Sequence, residues 1–252
     1  MPNASPVFDF EMAVKKHIEQ LKLGADAWKT WRLSESANVG DFNKAILVRE
    51  KFLNYELDKA FFHRANLRGT WFVGSHLNLA TFTHSNIMRC DFYKADLGGA
   101  DFSHANAERA NFRHANLRGA NLQRGIFKKC DFSKADLSQA NLKWGDFREA
   151  NFEEANLQGS FLNYSMLIKA NLRNANISDS HIYGISTWEI DLENAIQKNL
   201  VITPHKETTI TVEKLLNHEI EMHALLNFLS FARIVGILPV RKRICRLKLT
   251  RS

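Results

Sequence analysis

The chain has 252 residues, with 34 Lys and Arg against 27 Asp and Glu, 10 His and 3 Cys. That length admits one large domain or two, and three cysteines exclude a disulfide framework and suit a reducing cytoplasm. The basic excess either favours acidic partners or serves solubility alone.

The opening MPNASPVFDF lacks a basic stretch followed by an apolar run, so it does not read as a secretory signal. From about Phe10 to Leu33, Val14, Ile18, Leu21, Ala25, Trp28 and Trp31 recur at three- or four-residue steps. That spacing predicts one amphipathic helix, or two separated near Gly24. Residues 1–39 are read as an N-terminal helical cap covering Ile46, Val48, Leu53, Phe61, Trp71 and Val73; a partner-binding helix is the other reading.

Over residues 40–184 a unit of the form Ala-Asp/Asn-Leu/Phe-x-x restarts every five residues, clearest from Ala95 to Asn121. Its central residue, mostly Leu or Phe, falls at 42, 47, 52 and every fifth position to 182. A period of five fits neither a 3.6-residue helix nor a two-residue strand, so the units must stack as a solenoid. If the coil has four sides, centres twenty residues apart share a column. One column then reads Phe52, Phe72, Phe92, Phe112, Phe132 and Phe152, and its neighbour reads Leu57, Leu77, Leu97, Leu117, Leu137 and Leu157. A five-residue period alone would not sort Phe from Leu in this way. Where the column Phe42, Phe62, Phe82, Phe102 turns to Leu122, its neighbour gains Phe127 and Phe147, as an interior of constant volume requires.

The position two before each centre is small almost throughout, as at Ala95, Ala100 and Gly145, and Cys90 and Cys130 occupy it as core residues. Two coils separate those cysteines, ~9.6 Å by strand spacing, too far for a disulfide. The outward Asn or Asp before many centres can bond neighbouring backbone at turns. Glu50 and Tyr55 depart from the pattern in nominally small slots, and Ala107 is the one undersized centre in the middle, read as a local void or tightening.

These residues resemble the pentapeptide-repeat family. The resemblance implies an all-β solenoid, a right-handed quadrilateral parallel β-helix of about seven coils, with α-helical N-terminal and C-terminal additions. By strand spacing such a rod is on the order of 35 Å long.

Residues 185–252 are read as a linker, C-terminal helices and a basic tail. ISTWEIDLENA leaves the repeat motif, and outward Trp144, Phe161, Met166, Ile168 and Tyr183 make a surface onto which the end of the chain would fold back. Thr211 to about Ile237 predicts one long or two shorter helices, for core or homodimer packing and not for crossing a membrane. NLVITPHKETTITVEKLL and HIEQLKLGADAWKTWR resemble segments of bacterial pentapeptide-repeat proteins that continue into a nucleotide-binding-like or TIR-like domain, here expected to be truncated or absent.

No grouping prepares a nucleophile or a cofactor site, so the expectation is a protein that is not an enzyme and has no cofactor. His84 and His104 should stack on one side about 4.8 Å apart, but two imidazoles without a facing carboxylate or thiolate do not make a metal site. His218, Glu219 and His223 also miss the helical zinc spacing. Charge, by contrast, is sorted by side. A candidate basic interaction side carries Arg68, Arg89, Arg109, Lys128, Lys129, Arg148 and Lys169, with Arg64 and Arg124 at the preceding corner. Another side carries Glu56, Asp58, Asp96, Asp136 and Asp179.

Three function classes follow. The first is a non-enzymatic scaffold binding a protein partner. The second comes from the resemblance, since some family members mimic duplex DNA and modulate gyrase or topoisomerase; the repeat region here holds 19 Lys and Arg against 15 Asp and Glu, so only its acidic side could do so. The third is binding of nucleic acid or an anionic surface through the basic side.

Overall fold

The computed structural model describes residues 6–34 and 39–202; the C-terminal helices, dimer contact and basic tail expected beyond residue 202 lie outside the described residues. Helix α1 spans Pro6–Lys22 and α2 spans Ala25–Ser34. Between them Gly24 has φ +112°, a left-handed value that glycine adopts without a Cβ clash.

From Asp41 to Val201 the described chain is a parallel β-helix. Each bridge joins a residue to the one twenty later, in parallel, from Asp41↔Phe61 to His181↔Val201. Four bridge ladders recur per coil, so the coil has four sides. Side 1 is centred on Phe42 to Ile182, side 2 on Leu47 to Leu167, side 3 on Phe52 to Leu172 and side 4 on Leu57 to Ile177. The backbone groups of each five-residue unit are satisfied in a fixed way. Phe62 N donates to Thr81 O at 2.7 Å, Arg64 N to Thr83 O at 3.0 Å, and Ala65 N back to Phe62 O at 3.0 Å. The last bond closes a β-turn whose third residue, Arg64, has φ 56°, the sign pattern of a type II turn.

Every residue two after a centre, from Lys44 to Asn199, repeats that left-handed conformation, mostly without glycine. None of them is Val, Ile or Thr, for which φ above zero is a true outlier. The outward Asx residues brace the same turn: Asp91 Oδ1 accepts from Tyr93 N at 3.0 Å and Asp101 Oδ1 from Ser103 N at 2.8 Å.

The centres fill the interior. Phe72, Phe92, Phe112, Phe132 and Phe152 are fully buried on side 3, with successive ring centroids 5.2, 4.9, 4.9 and 5.0 Å apart. Leu77, Leu97, Leu117, Leu137 and Leu157 fill side 4. Side 1 stacks phenylalanine down to Phe102, after which side 2 supplies Phe127 and Phe147, 5.2 Å apart. The exchange crosses the buried Ala107. Gly125 and Gly145 permit it, because a Cβ on either would collide with the ring two residues on. Cys90 and Cys130 are free and buried; their thiols donate to Leu67 O at 2.8 Å and Ala107 O at 2.9 Å. Burial pushes the Cys90 thiol up to about 12 and raises the Cys130 thiol as well, so both stay protonated and unreactive.

Two features differ from the sequence reading. Among the described residues the helices cover the end of the first coil and not its flanks: Ile46 is 77% exposed, and Phe61 and Trp71 are also exposed. The contact runs through buried Trp28, whose Nε1 donates to Glu56 O at 2.7 Å and whose ring lies 5.6 Å from Phe42. The residues that broke the repeat motif take part. Tyr55 Oη donates to Leu21 O at 3.0 Å, and Glu50 pairs with Lys22 at 3.6 Å. The second difference lies at ISTWEIDLENA, where the motif fades but the coil does not. The bridges Met166↔Ser186, Asn171↔Asp191 and Asn176↔Ile196 carry it on to Val201. Backbone bonds between coils do not depend on side-chain identity, so a buried Thr187 at a centre position is tolerated.

Candidate interaction surface

Outward side chains stack in columns one coil apart, so each surface feature is a row along the rod. On the basic side, Arg68, Arg89 and Lys128 have no ion-pair partner among the described residues, and the rest of the row is partly neutralised. Lys129 pairs with Glu149 at 3.4 Å, Lys169 with Glu189 at 3.4 Å and Arg109 with Glu108 at 3.9 Å. Arg148 grips Asp146 with two bonds, Nε to Oδ1 at 2.8 Å and Nη2 to Oδ2 at 2.6 Å. That grip, together with the Arg148 backbone N–H, holds the Asp146 carboxyl below its usual range against the opposing effect of burial.

At the corner between sides 1 and 2, His84 and His104 stack with centroids 4.7 Å apart, and His63 meets His84 edge-on at 5.7 Å. Partial burial, then the charges of Arg64, His84 and Lys44, hold the His63 imidazole below the ordinary histidine range. Among the described residues no group of three or more His, Cys, Asp or Glu side chains could hold a metal ion. Further along this corner Trp144 stacks on Tyr164 at 5.6 Å, with the Arg124 guanidinium 5.1 Å from the Trp144 ring. Trp144 and Tyr164 are 44% and 43% exposed, and Trp188 is 63% exposed.

The acidic columns are interrupted. On sides 3 and 4 Asn follows Asp, and the amide donates to the carboxylate of the preceding coil. Asn111 Nδ2 donates to Asp91 at 2.8 Å, Asn116 Nδ2 to Asp96 at 2.7 Å and Asn156 Nδ2 to Asp136 at 3.0 Å. No two Asp residues are adjacent in any outward column, which avoids carboxylates stacked one strand spacing apart. No helix among the described residues is long and apolar enough to cross a membrane.

Residues 60–99, 85–124, 95–133, 115–153 and 146–182 match the family model described as pentapeptide repeats, in 8 copies overall. No curated protein matches the chain. Several solved structures do. A pentapeptide repeat protein (Rfr23) from the cyanobacterium Cyanothece 51142 is 31% identical over 40% of this chain, with a TM-score of 0.34, and the match spans 63% of that protein's length. QnrB1, described as a plasmid-mediated fluoroquinolone resistance protein, is 21% identical over 63% of this chain and 87% of its own, with a TM-score of 0.40. HetL from Nostoc sp. strain PCC 7120, described as involved in heterocyst differentiation regulation, is 20% identical over 70% of this chain and 96% of its own, with a TM-score of 0.21.

Proposed function

The chain belongs to the pentapeptide-repeat family, and we propose that it is a non-enzymatic scaffold that binds a protein partner through the surface of its right-handed β-helix. The observation that carries this reading is the exposed stack of Trp144 on Tyr164, with Trp188 exposed on the following coil. Indole and phenol side chains are enriched where proteins meet, because they bury large rigid area and keep a polar edge. The cluster sits on a backbone fixed by bonds to the coils on both sides, Tyr164 N donating to Tyr183 O and Trp144 N to Asn163 O, so little ordering entropy opposes docking.

Gyrase modulation by DNA mimicry would require a continuous anionic row. Here each acidic column alternates Asp with Asn, so the charge arrives at every second coil at most. A partner-capture experiment tests the scaffold reading. Proteins cross-linked to the full chain are identified, and each is then purified and titrated against the wild type and a Trp144→Asp, Trp188→Asp variant. A partner bound by the wild type and weakened at least tenfold by the variant supports the reading. Undiminished binding by the variant removes the aromatic cluster from it. A gyrase supercoiling assay run alongside separates the mimicry reading, which predicts inhibition that the aromatic variant does not relieve.

A further inference from the structure

Side 2 differs from the other sides in what its outward amides do. Asn66, Asn86 and Asn106 stack on successive coils, and each uses Oδ1 to accept from the backbone N–H two residues on, at 3.4, 3.3 and 3.2 Å. Elsewhere an outward Asn spends its Nδ2 on the residue one coil back, as Asn111 does on Asp91. On side 2 no carboxylate lies in that place, and among the described residues the three Nδ2 groups have no partner.

This amide floor is bordered by two basic rows. Arg64, His84, His104 and Arg124 run along one edge; Arg89, Arg109 and Lys129 run along the other, where the coil of Asn66 has Gly69 and sets Arg68 one residue nearer the amide. Within 63–69, 83–89, 103–109 and 123–129 the one acidic residue is Glu108, already beside Arg109 at 3.9 Å. The flanking acids are engaged: Asp101 accepts from Ser103 N and Asn121 Nδ2, Asp146 is held by Arg148, and Glu149 pairs with Lys129 at 3.4 Å, which leaves that edge cation partly neutralised. The two stacked imidazoles are nearly parallel, 6° apart, with centroids 4.7 Å apart, close to the coil repeat. Their ring planes therefore lie across the rod axis, and their edges point away from it. In the coils of Asn66, Asn86 and Asn106 the face presents N–H donors from guanidinium or imidazole at its edges and from amide between them, with Glu108 the one carboxylate; in the fourth coil Ile126 takes the place of the amide and Lys129 supplies an ammonium edge.

We propose that this face binds single-stranded nucleic acid, with the phosphodiester backbone lying along the rod over Asn66, Asn86 and Asn106. Phosphate oxygens accept from charged and neutral N–H donors alike, and guanidinium groups suit them in geometry as well as charge. Shape selects the single strand. From Lys44 through Arg64, His84 and His104 to Arg124 the corner row runs straight for four strand spacings, ~19 Å. A strand of a duplex winds once around its axis in ~34 Å and would swing off a straight row over that distance. A single strand can straighten to follow it.

The test uses the full chain and fluorescein-labelled 20-nucleotide single-stranded RNA and DNA, the matching duplexes, and poly-glutamate as competitor, read by anisotropy over a salt series. Arg89→Gln with Arg109→Gln removes two cations and should flatten the slope of log affinity against log salt by about 1.4, at ~0.7 per phosphate contact for a single strand. Asn86→Asp should weaken binding about tenfold or more, yet should not lower thermal stability, since Asn106 can then donate to the new carboxylate as Asn111 does to Asp91. Arg118→Gln on side 4 should change neither slope nor stability. No binding at low salt, duplex bound as tightly as single strand, equal competition by poly-glutamate, or an undiminished Asn86→Asp variant would each overturn the proposal. Binding should also survive Trp144→Ser with Trp188→Ser, which removes the rings without setting a carboxylate beside Arg124 and keeps its failure separate from that of the protein-scaffold reading.

Discussion

At the scale of the residue, the left-handed position ending each turn restricts the sequence most tightly. Gly is optional there because Lys, Arg, His and Asn pay a bearable cost at φ near 60°, whereas a β-branched residue clashes with its own backbone. His63 shows how the stacked geometry reaches into chemistry. Its folded-state affinity for protons is lowered, first by partial burial and then by Arg64, His84 and Lys44, so the unfolded chain takes up the proton first. Stability should therefore decline as pH falls through the ordinary imidazole range near ~6.5, and the decline should end below the folded-state value. NMR titration of the imidazole C–H signals checks this: His63 should titrate below free histidine, and Arg64→Gln should raise its midpoint. A midpoint at or above that of free histidine would contradict the assignment.

At the scale of the element, the two helices close the first coil through a small set of directional contacts. Trp28 is buried against Phe42 and bonded to Glu56 O, while Lys29 bonds the Glu56 carboxylate at 2.6 Å and holds it below its usual range. Trp28→Ala removes a large buried ring and a backbone partner, and a cost of about 3–5 kcal/mol is expected by chemical denaturation. The loss should be local. Amide exchange should accelerate at Phe42, Leu47 and Leu57 and stay unchanged at Phe112 and Leu117. Uniform acceleration along the rod would mean that the cap governs the whole solenoid and not its first coil.

For the whole molecule, stability is a sum over neighbouring coils, because each coil bonds to the one before and the one after. Coils near Phe112 have Phe or Leu at every centre but Ala107, whereas the last described coil has Thr187 at a centre and only partly buried Ile185, Ile190 and Leu192. Hydrogen exchange at amides 186–201 should be faster than at amides 100–150 by orders of magnitude, reflecting opening from that end. Equal protection would show that the rod opens as one unit. The same neighbour logic decides function. A rod whose rows are fixed by register carries both proposed features along one corner, the basic and amide rows on the earlier coils and the exposed aromatic side chains on the later ones.

The repeat was legible because the same five-residue pattern of inward and outward positions recurs over 40–184 with few faults, and because the twenty-residue columns of Phe and Leu sort separately. The basic row could be placed on one side for the same reason. Its electrostatic character could not, since Lys129 with Glu149 and Lys169 with Glu189 depend on which charges meet across coils. The unpaired amides of Asn66, Asn86 and Asn106 have a signal in the sequence, an outward column in which Asn follows Asn while sides 3 and 4 alternate Asp with Asn. Tyr55 and Glu50 looked like faults until α1 lay over them. The sequence by itself determined the coil, its four sides and the filling of its interior, because those follow from a period that side-chain size must obey. Only the tertiary structure decided where the cap sits, how far the ladder runs past 184, and which surface donors are left unpaired. Those depend on backbone bonds and side-chain partners brought together from residues twenty or more apart.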